Sequence, residues 1–564
     1  MQVRKLAGEL SIAPQIEVAD VEQIARLGYK SIICNRPDGE DAGQPSFVEI
    51  ARAAKKAGLE TMYFPVTPGA IADEDGAAFG EMFEALPKPV VAYCKSGNRS
   101  STLWTLWRAG QLPREANSMG ESVEGILSSS QASPDAMGDR AKETGNHGRA
   151  QMRAAHHDII IVGGGSAGVS CAASLLARKG DLDIAIIEPS DTHYYQPGWT
   201  LVGGGVFRAE QTAKPMGRVM PSKVTWIKDS VIEFNPGDDC VVLGDGRRVT
   251  YNRLIVCPGL KLDWEGVEGL SDTLGQNGVT SNYRYDLAPY TWQLVQALKT
   301  GIAVFTQPPM PIKCAGAPQK AMYLSADHWR RKGRLDDIDV GFYNAGGVLF
   351  GVAEYVPALM EYVERYKINL NFNCKLVAID GPGHMARFVE TLKDGSSRTV
   401  ETHFDMIHVC PPQTAPDFIR RSALSDQDGW VDVDTGTLRH KTYDNVYGLG
   451  DVTNTPNAKT AAAARKQAPI VAVNVLFDMG VHKTRSIYDG YGSCPLTVER
   501  GKIVLAEFGY GGKIMPSLPK FVVDGMRPTR RAWFLKERLL PLIYWRGMLK
   551  GREWLVKPKP EEIR

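Results

Sequence analysis

No uninterrupted apolar run in this sequence approaches the ~18 residues of a membrane-spanning helix, so a spanning segment is not expected. The opening residues meet polar positions at once and lack the apolar centre of a signal peptide. Closely spaced cysteine pairs are missing as well. The nine, at 34, 94, 171, 240, 257, 314, 374, 410 and 494, form no CxxC and no dense framework. That argues against a zinc site and a secreted disulfide scaffold, and for a reducing, cytoplasmic setting with a few special thiols and no metal. An excess of one charge is lacking too: 66 Lys and Arg against 64 Asp and Glu leave a formal +2, which disfavours a general nucleic-acid binder. What remains is globular material, 43% hydrophobic and 23% charged. At 564 residues it is too long for one core and implies roughly three or four domains.

Residues 1–112 alternate short apolar runs with helical patterns. Residues 31–34, 61–65 and 90–94 read as strands, and residues 22–27 and 47–57 as helices. This predicts a small α/β domain with a largely parallel sheet. Residues 113–156 turn to Ser, Gly, Lys, Glu and Arg, the composition of a solvated linker. A larger α/β region starts at Asp158.

Residues 158–162 form a buried-strand run leading into Gly163-Gly164-Gly165-Ser166-Ala167-Gly168 and a helical pattern over residues 169–178. Gly163 permits the tight turn, Gly165 lets backbone approach a pyrophosphate, and Gly168 packs helix on strand, with the helix N-terminus facing the negative charge. A second strand ends in Glu188, 25 positions after Gly163, near the spacing of a ribose-binding acid. Far downstream, residues 446–451 read as a strand ending in Asp451, and Lys459 and Thr460 open a helix. In flavoproteins with two dinucleotide domains, such a late Gly-Asp contacts the ribityl chain and the helix start lies by the ring system. The late return implies a discontinuous FAD domain, residues 157–270 and 430–490, with a second Rossmann-like domain, residues 271–429, inserted.

The inserted domain has no cradle of its own. Its first strand, residues 301–305, is followed by three prolines and then Lys313-Cys314, and residues 341–347 also lack the spacing. Nicotinamide is therefore not expected as the electron donor; a small molecule handled by Cys314 is.

Four stretches together resemble the sulfide:quinone oxidoreductases, the group that includes the mitochondrial enzyme: residues 188–205, 311–320, 450–463 and 488–496. The resemblance spans about residues 157–564. It implies two redox cysteines beside the flavin, Cys314 and Cys494, and FAD contacts at Ser166, Ala167, Glu188, Gln196, Val231, Asp451 and Lys459, with Thr460 next to them. Hydrosulfide would attack a bridged Cys314/Cys494 pair, leaving a persulfide on one and a thiolate on the other, with two electrons passing through FAD to a membrane quinone. Lys313 and Lys459 would steady negative charge. The sulfur would leave on a small thiol or another sulfane-sulfur acceptor. Cys171, Cys240, Cys374 and Cys410 read as structural, while Cys257 lies where the chain should approach the flavin, leaving a third redox role open. Homo-oligomerisation is also left open. Two rivals stand beside this reading: an NADH:quinone oxidoreductase with an N-terminal cysteine phosphatase domain, and a sulfur carrier whose FAD is structural.

The last region, residues 491–564, ends in a tail where residues 527–564 hold 11 Lys and Arg against 4 Asp and Glu, interleaved with Trp, Tyr, Leu and Ile. Such an amphipathic segment suits a headgroup layer and implies peripheral attachment at the inner face of the plasma membrane; an amphipathic helix packed on the core is the plainer alternative. At the other end, Cys94 and Arg99 frame a Cys-x5-Arg loop between a strand and a helix. Backbone N–H groups converging there stabilise a thiolate, and Arg99 is placed to grip an oxyanion. The loop resembles those of cysteine phosphatases and of phosphatase-like domains fused to sulfur-metabolism enzymes. The neighbouring residues 65–69 carry no acid, and the placement of Asp73 and Asp75 is open. Sulfane-sulfur transfer at Cys94 is therefore favoured over phosphatase activity or an inactive domain.

Overall fold

The computed structural model describes residues 3–110, except 8, 42, 68–70, 72 and 96, and residues 155–560. The chain divides into two compact units, Met1–Gly145 and Asn146–Arg564. Residues 113–154 of the expected linker lie outside the described residues. Residues 155 and 156 do not belong to a linker: they open a strand of the second unit, paired with Val249 and Thr250.

The first unit comprises β1 (Arg4–Ala7), β2 (Leu10–Ala13), α1 (Val21–Arg26), β3 (Ser31–Cys34), α2 (Phe47–Lys56), β4 (Glu60–Tyr63), α3 (Asp73–Ala85), β5 (Val90–Tyr93) and α4 (Asn98–Gly110). The sheet runs β1-β2-β5-β3-β4, parallel except for β1. Its central strands β3 and β5 are buried at every position, as strands covered on both faces must be. Ser46 caps α2 by accepting from Glu49 N–H, and Glu49 returns the bond to Ser46, a reciprocal box that fixes the helix start. The strands β1 and β2 and the helix α3 were not anticipated, because none carries a long apolar run.

The second unit begins with β6 (Ala155–Val162), α5 (Ser166–Arg178), β7 (Ile184–Ile187), β8 (Val224–Ile227), β9 (Val231–Asn235), β10 (Cys240–Leu243) and β11 (Arg248–Val256). A second sheet follows from β12 (Val279–Thr280), β13 (Gly301–Gln307), α6 (Ala317–Arg331), β14 (Ile338–Asn344), β15 (Asn369–Phe372) and β16 (Met406–His408), all parallel in the order β12-β16-β13-β14-β15. The chain then returns: β17 (Val446–Gly448) lies parallel to β11 in the first sheet, whose remaining order is β8-β7-β6-β11-β10-β9. Helix α7 (Ala461–Asp478) starts from a Thr460 cap, and β18 (Gly492–Glu499) and β19 (Lys502–Phe508) form an antiparallel hairpin. Residues 530–550 are helical throughout, with two stretches of wider turns. Among the described residues, no helix is long and apolar enough to cross a membrane.

Packing around the glycine loop is tight on one side and open on the other. Gly163 adopts φ +105°, in the left-handed range, and a Cβ there would lie 2.6 Å from the Cys257 carbonyl oxygen. A Cβ on Gly168 would lie 1.9 Å from Gly163 O and 3.1 Å from Cys257 Sγ, so α5 reaches β6 only because that side chain is absent. Gly168→Ala is thus expected to force α5 off the sheet at a cost of about 1–3 kcal/mol. Thermal denaturation should fall by several degrees and the purified protein should lose yellow flavin absorbance.

Candidate functional site

A cavity of about 480 Å³, within the usual range for ligand sites, runs from the glycine loop past α7 to the helical tail. At one end, Gly165, Ser166 and Ala167 line it where α5 begins, and Glu188 closes β7 beside them. The Glu188 carboxylate accepts from Gly164 N–H at 2.8 Å and Ser190 N–H at 2.9 Å. A Cβ on Gly165 would meet nothing within 4 Å, so the backbone there faces open space. Thr200 Oγ1 and both polar atoms of the Asn282 amide, also at the wall, are buried without a hydrogen-bond partner in the protein. An open backbone cradle at a helix N-terminus, an acid at the adjacent strand end and unspent polar groups farther along fit a bound dinucleotide such as FAD.

The remaining expected contacts divide. Gln196, Asp451 and Thr460 line the cavity. Burial pushes the Asp451 carboxyl upward, against the pull of Lys313 and Lys459. Gly163 and Gly168 shape the loop from behind. Val231 is not among the lining residues; it opens β9 in the sheet, opposite Leu243 and buried. Lys459 is not among the cavity-lining residues. It donates to the Asp451 and Thr453 carbonyls, both at 2.8 Å, and sits 4.2 Å from the Trp430 ring centroid. Burial lowers it to about 8. Its carbonyl matters more, because it accepts from Cys314 N–H at 2.8 Å.

That bond anchors the thiols. Cys314 sits just before α6 with φ +52°, a left-handed conformation that is costly for a non-glycine residue. Cys494 projects from β18, and the two sulfurs lie 3.4 Å apart although 180 residues separate them. The Lys320 ammonium, on the second turn of α6, donates to Cys314 Sγ at 3.0 Å. The hydrogen bond from Cys494, then the Lys320 charge, hold the Cys314 thiol well below its ordinary value, while Cys494 is pushed well above. Lys536 comes from the tail, buried, donating to Pro197 O at 3.0 Å, and burial with Lys320 nearby lowers it to about 7. Neither lysine was singled out in the sequence: Lys320 reads as an ordinary helix residue and Lys536 as one basic tail residue among many. Lys313, expected to steady the thiolate, instead donates to Gln196 Oε1 at 2.5 Å. Cys257, Cys171 and Cys410 are buried, and burial raises all three.

The tail is a wall of this cavity. Leu535, Lys536, Leu540, Ile543, Tyr544 and Met548 line it. Tyr544 O–H donates at 2.6 Å to His193 Nε2, whose Nδ1–H reaches Gly164 O at 3.2 Å; burial lowers His193 to about 4, so the ring is neutral. The opposite side leaves Phe534, Leu539 and Leu542 exposed. The helix therefore packs on the core along one face and presents an apolar surface along the other.

In the first unit, Cys94 follows β5 and its sulfur accepts from Gly97 N–H at 3.1 Å. Arg99 does not stand free for an oxyanion. It forms a fork–fork pair with Glu40, both bonds 2.7 Å, and donates to Val66 O. Buried Arg36 holds the same carboxylate, and these partners, Arg99 first, keep Glu40 below the usual carboxylate range. Of the loop searched for a general acid, residues 68–70 lie outside the described residues; Asp73 and Asp75 belong to α3.

Because Lys320 stabilises the charged form of Cys314, replacing it should raise that thiol's pKa. Alkylation of the reduced protein by iodoacetamide, followed against pH, should show the Cys314 midpoint moving upward in Lys320→Met, with several-fold slower labelling at pH 7. An unmoved midpoint would remove Lys320 from this role.

Comparisons with known proteins give the chain's family and fold. Residues 2–111 match the phosphatase-like domain of beta-lactamase hydrolase-like proteins, and residues 157–290 match the pyridine nucleotide-disulphide oxidoreductases. The mitochondrial sulfide:quinone oxidoreductase of Dictyostelium discoideum is 44% identical over 403 residues, 71% of this chain and 87% of that protein. Its counterpart in Mus musculus is 37% identical over 396 residues, 70% and 87%. The structure of the sulfide:quinone oxidoreductase from Aquifex aeolicus superposes with a TM-score of 0.59 at 17% identity, covering 72% of this chain and 96% of that one, a likeness of fold. With a dinucleotide cradle, a thiol pair and this kinship in place, the chain is an FAD-dependent oxidoreductase that belongs to the sulfide:quinone oxidoreductase family and carries a phosphatase-like domain ahead of it.

Proposed function

We propose that the protein oxidises sulfide at the Cys314/Cys494 pair and delivers the electrons to a membrane quinone. The observation that carries this reading is the 3.4 Å approach of two sulfurs from remote segments, with a lysine ammonium on one of them. In the oxidised enzyme the two are joined. Hydrosulfide attacks Cys494, the S–S bond breaks, and the products are a Cys494 persulfide and a Cys314 thiolate. Cys314 is the better leaving group because the Lys320 ammonium stabilises its charge, and Cys314, unlike Cys494, lines the cavity. Bound FAD supplies the two-electron chemistry that links thiol oxidation to quinone reduction. Gln196, Asp451, Thr460 and the loop from Gly163 to Gly168 hold it, and Tyr544 and the tail keep water from its side of the cavity. Lys459 contributes through its carbonyl, which holds Cys314 in place.

The persulfide sulfur leaves on a small thiol. At the N-terminal loop the Cys94 thiolate takes sulfane sulfur from such a carrier, forming a Cys94 persulfide and releasing the thiol. Support for transfer over phosphoester hydrolysis comes from Glu40: doubly ion-paired and held below the carboxylate range, it is unsuited to protonate a leaving group. The exposed apolar side of the tail, flanked by Arg531, Arg538 and Arg546, supports peripheral attachment to an anionic bilayer at the inner face of the plasma membrane. The eukaryotic relatives are mitochondrial by name.

Sulfide should bleach the flavin in stopped-flow mixing and NADH should not; the reverse would establish the NADH:quinone alternative. Cys314→Ser should lower sulfide-dependent quinone reduction about a thousandfold, whereas a purely structural FAD would leave it unchanged. Cys94→Ser should slow sulfur transfer to thiol acceptors and leave flavin bleaching intact.

A further inference from the structure

The hairpin of β18 and β19 divides two environments. Cys494, Leu496, Val498, Val504 and Ala506 face the core of the inserted domain. The alternate residues Ser493, Pro495, Leu505 and Glu507 face the cavity, with Ser493 directly opposite Glu507. Strand alternation thus sets the thiol on one side of a two-stranded sheet and a carboxylate on the other. Among the described residues the cavity lining holds three carboxylates: Glu188 at the glycine loop, Asp451 before α7, and Glu507 at the end walled by Leu505, Leu518 and the tail.

Glu507 is 5% exposed and held in a fixed pose. Tyr491 O–H donates to its Oε1 at 2.6 Å and Ser517 N–H to its Oε2 at 3.2 Å, while the Tyr491 and Ser517 hydroxyls are 2.9 Å apart. Burial and then the Glu507 charge push the Tyr491 phenol up, so it stays protonated and remains a donor. A route to solvent adjoins this cluster. Lys466 and Asp489 form a 2.6 Å ion pair with side chains 22% and 39% exposed. Lys466 Nζ lies 4.9 Å from the Tyr491 ring centroid, and Asp489 Oδ1 accepts from Tyr491 N–H. The other charge facing Glu507 and Tyr491 is the Arg465 guanidinium, from α7.

We infer that Glu507 supplies protons to the quinone, with Tyr491 and Ser517 positioning its carboxyl and the Lys466–Asp489 rim connecting it to solvent. The inference rests on the proposed quinone acceptor and adds the group that completes its reduction. A quinone becomes a quinol by gaining two electrons and two protons. The electrons are those removed from sulfide; the protons must enter a cavity end where, among the described lining residues, Glu507 is the carboxylate. Glu507 takes a proton from solvent at the rim, releases it to one quinone oxygen as an O–H bond forms there, returns to the carboxylate, and is recharged from the rim to deliver the second proton.

Stopped-flow separation of the two half-reactions tests this in the full-length, FAD-loaded protein. In Glu507→Gln, flavin bleaching by sulfide should keep its wild-type rate, while reoxidation by a short-chain soluble quinone should slow about 10–100-fold and change its solvent deuterium isotope effect. Glu507→Asp should recover part of the rate. Reoxidation of Glu507→Gln at the wild-type rate, with an unchanged isotope effect, would overturn the inference. Should that variant fail to fold, Tyr491→Phe keeps the carboxylate and removes its donor; it should slow reoxidation and alter the isotope effect, and a wild-type result there would count equally against the role. Dithionite-reduced protein gives the same comparison without sulfide, so failure of sulfide to bleach the wild type would strike the proposed function and leave the relay separately tested.

Discussion

The thiol site of the second unit depends on one backbone hydrogen bond between remote segments, Cys314 N–H to Lys459 O. It ties the loop that opens α6 of the inserted domain to the segment that opens α7 of the dinucleotide domain. It also helps keep Cys314 in a left-handed conformation that nothing in its own side chain favours. With the thiol held there, Lys320 reaches it from α6, Cys494 meets it from the hairpin and Lys536 approaches from the tail. Four segments far apart in sequence converge on a sulfur atom whose position is set by main chain. The side chains around it tune charge, and the main chain sets place.

The dinucleotide loop was legible because its chemistry is written locally. Gly163, Gly165 and Gly168 answer to steric demands a few residues long, and the structure supplies a reason for each: a positive φ, an open approach and a 1.9 Å clash avoided. The pairing of Cys314 with Cys494 was readable only through kinship, since no spacing law joins residues 180 apart. Lys320 and Lys536 were illegible for another reason. A lysine on a helix is by default a solvated residue, and only tertiary packing turns it into a buried partner of a thiol. Lys459 shows the converse: the resemblance implied a flavin contact there, and the structure gives its ammonium backbone carbonyls and the Trp430 ring as partners.

The phosphatase-like unit applies the same physics with a different balance. Its Cys94 sits at a helix start with a backbone N–H on its sulfur, as the sequence led one to expect, yet Arg99 is already committed to Glu40. Any anion entering that loop meets an arginine whose charge is internally compensated. An incoming group must either share the guanidinium with Glu40 or be small and weakly charged, and a sulfur atom passed between thiols satisfies the second condition. The sequence motif specifies the nucleophile; the residue that restrains its partner lies 59 positions away and carries no motif.

The tail has a bearing on how the molecule is assembled. Among the described residues, those lining the cavity fall into two groups along the chain, one ending at Leu518 and one running from Leu535 to Val556. The piece that arrives last both shuts the chamber, through Tyr544 and His193, and turns an oily flank outward. Closure of the cavity and that outward flank therefore share one stretch of chain, so a change in its fold would disturb both together.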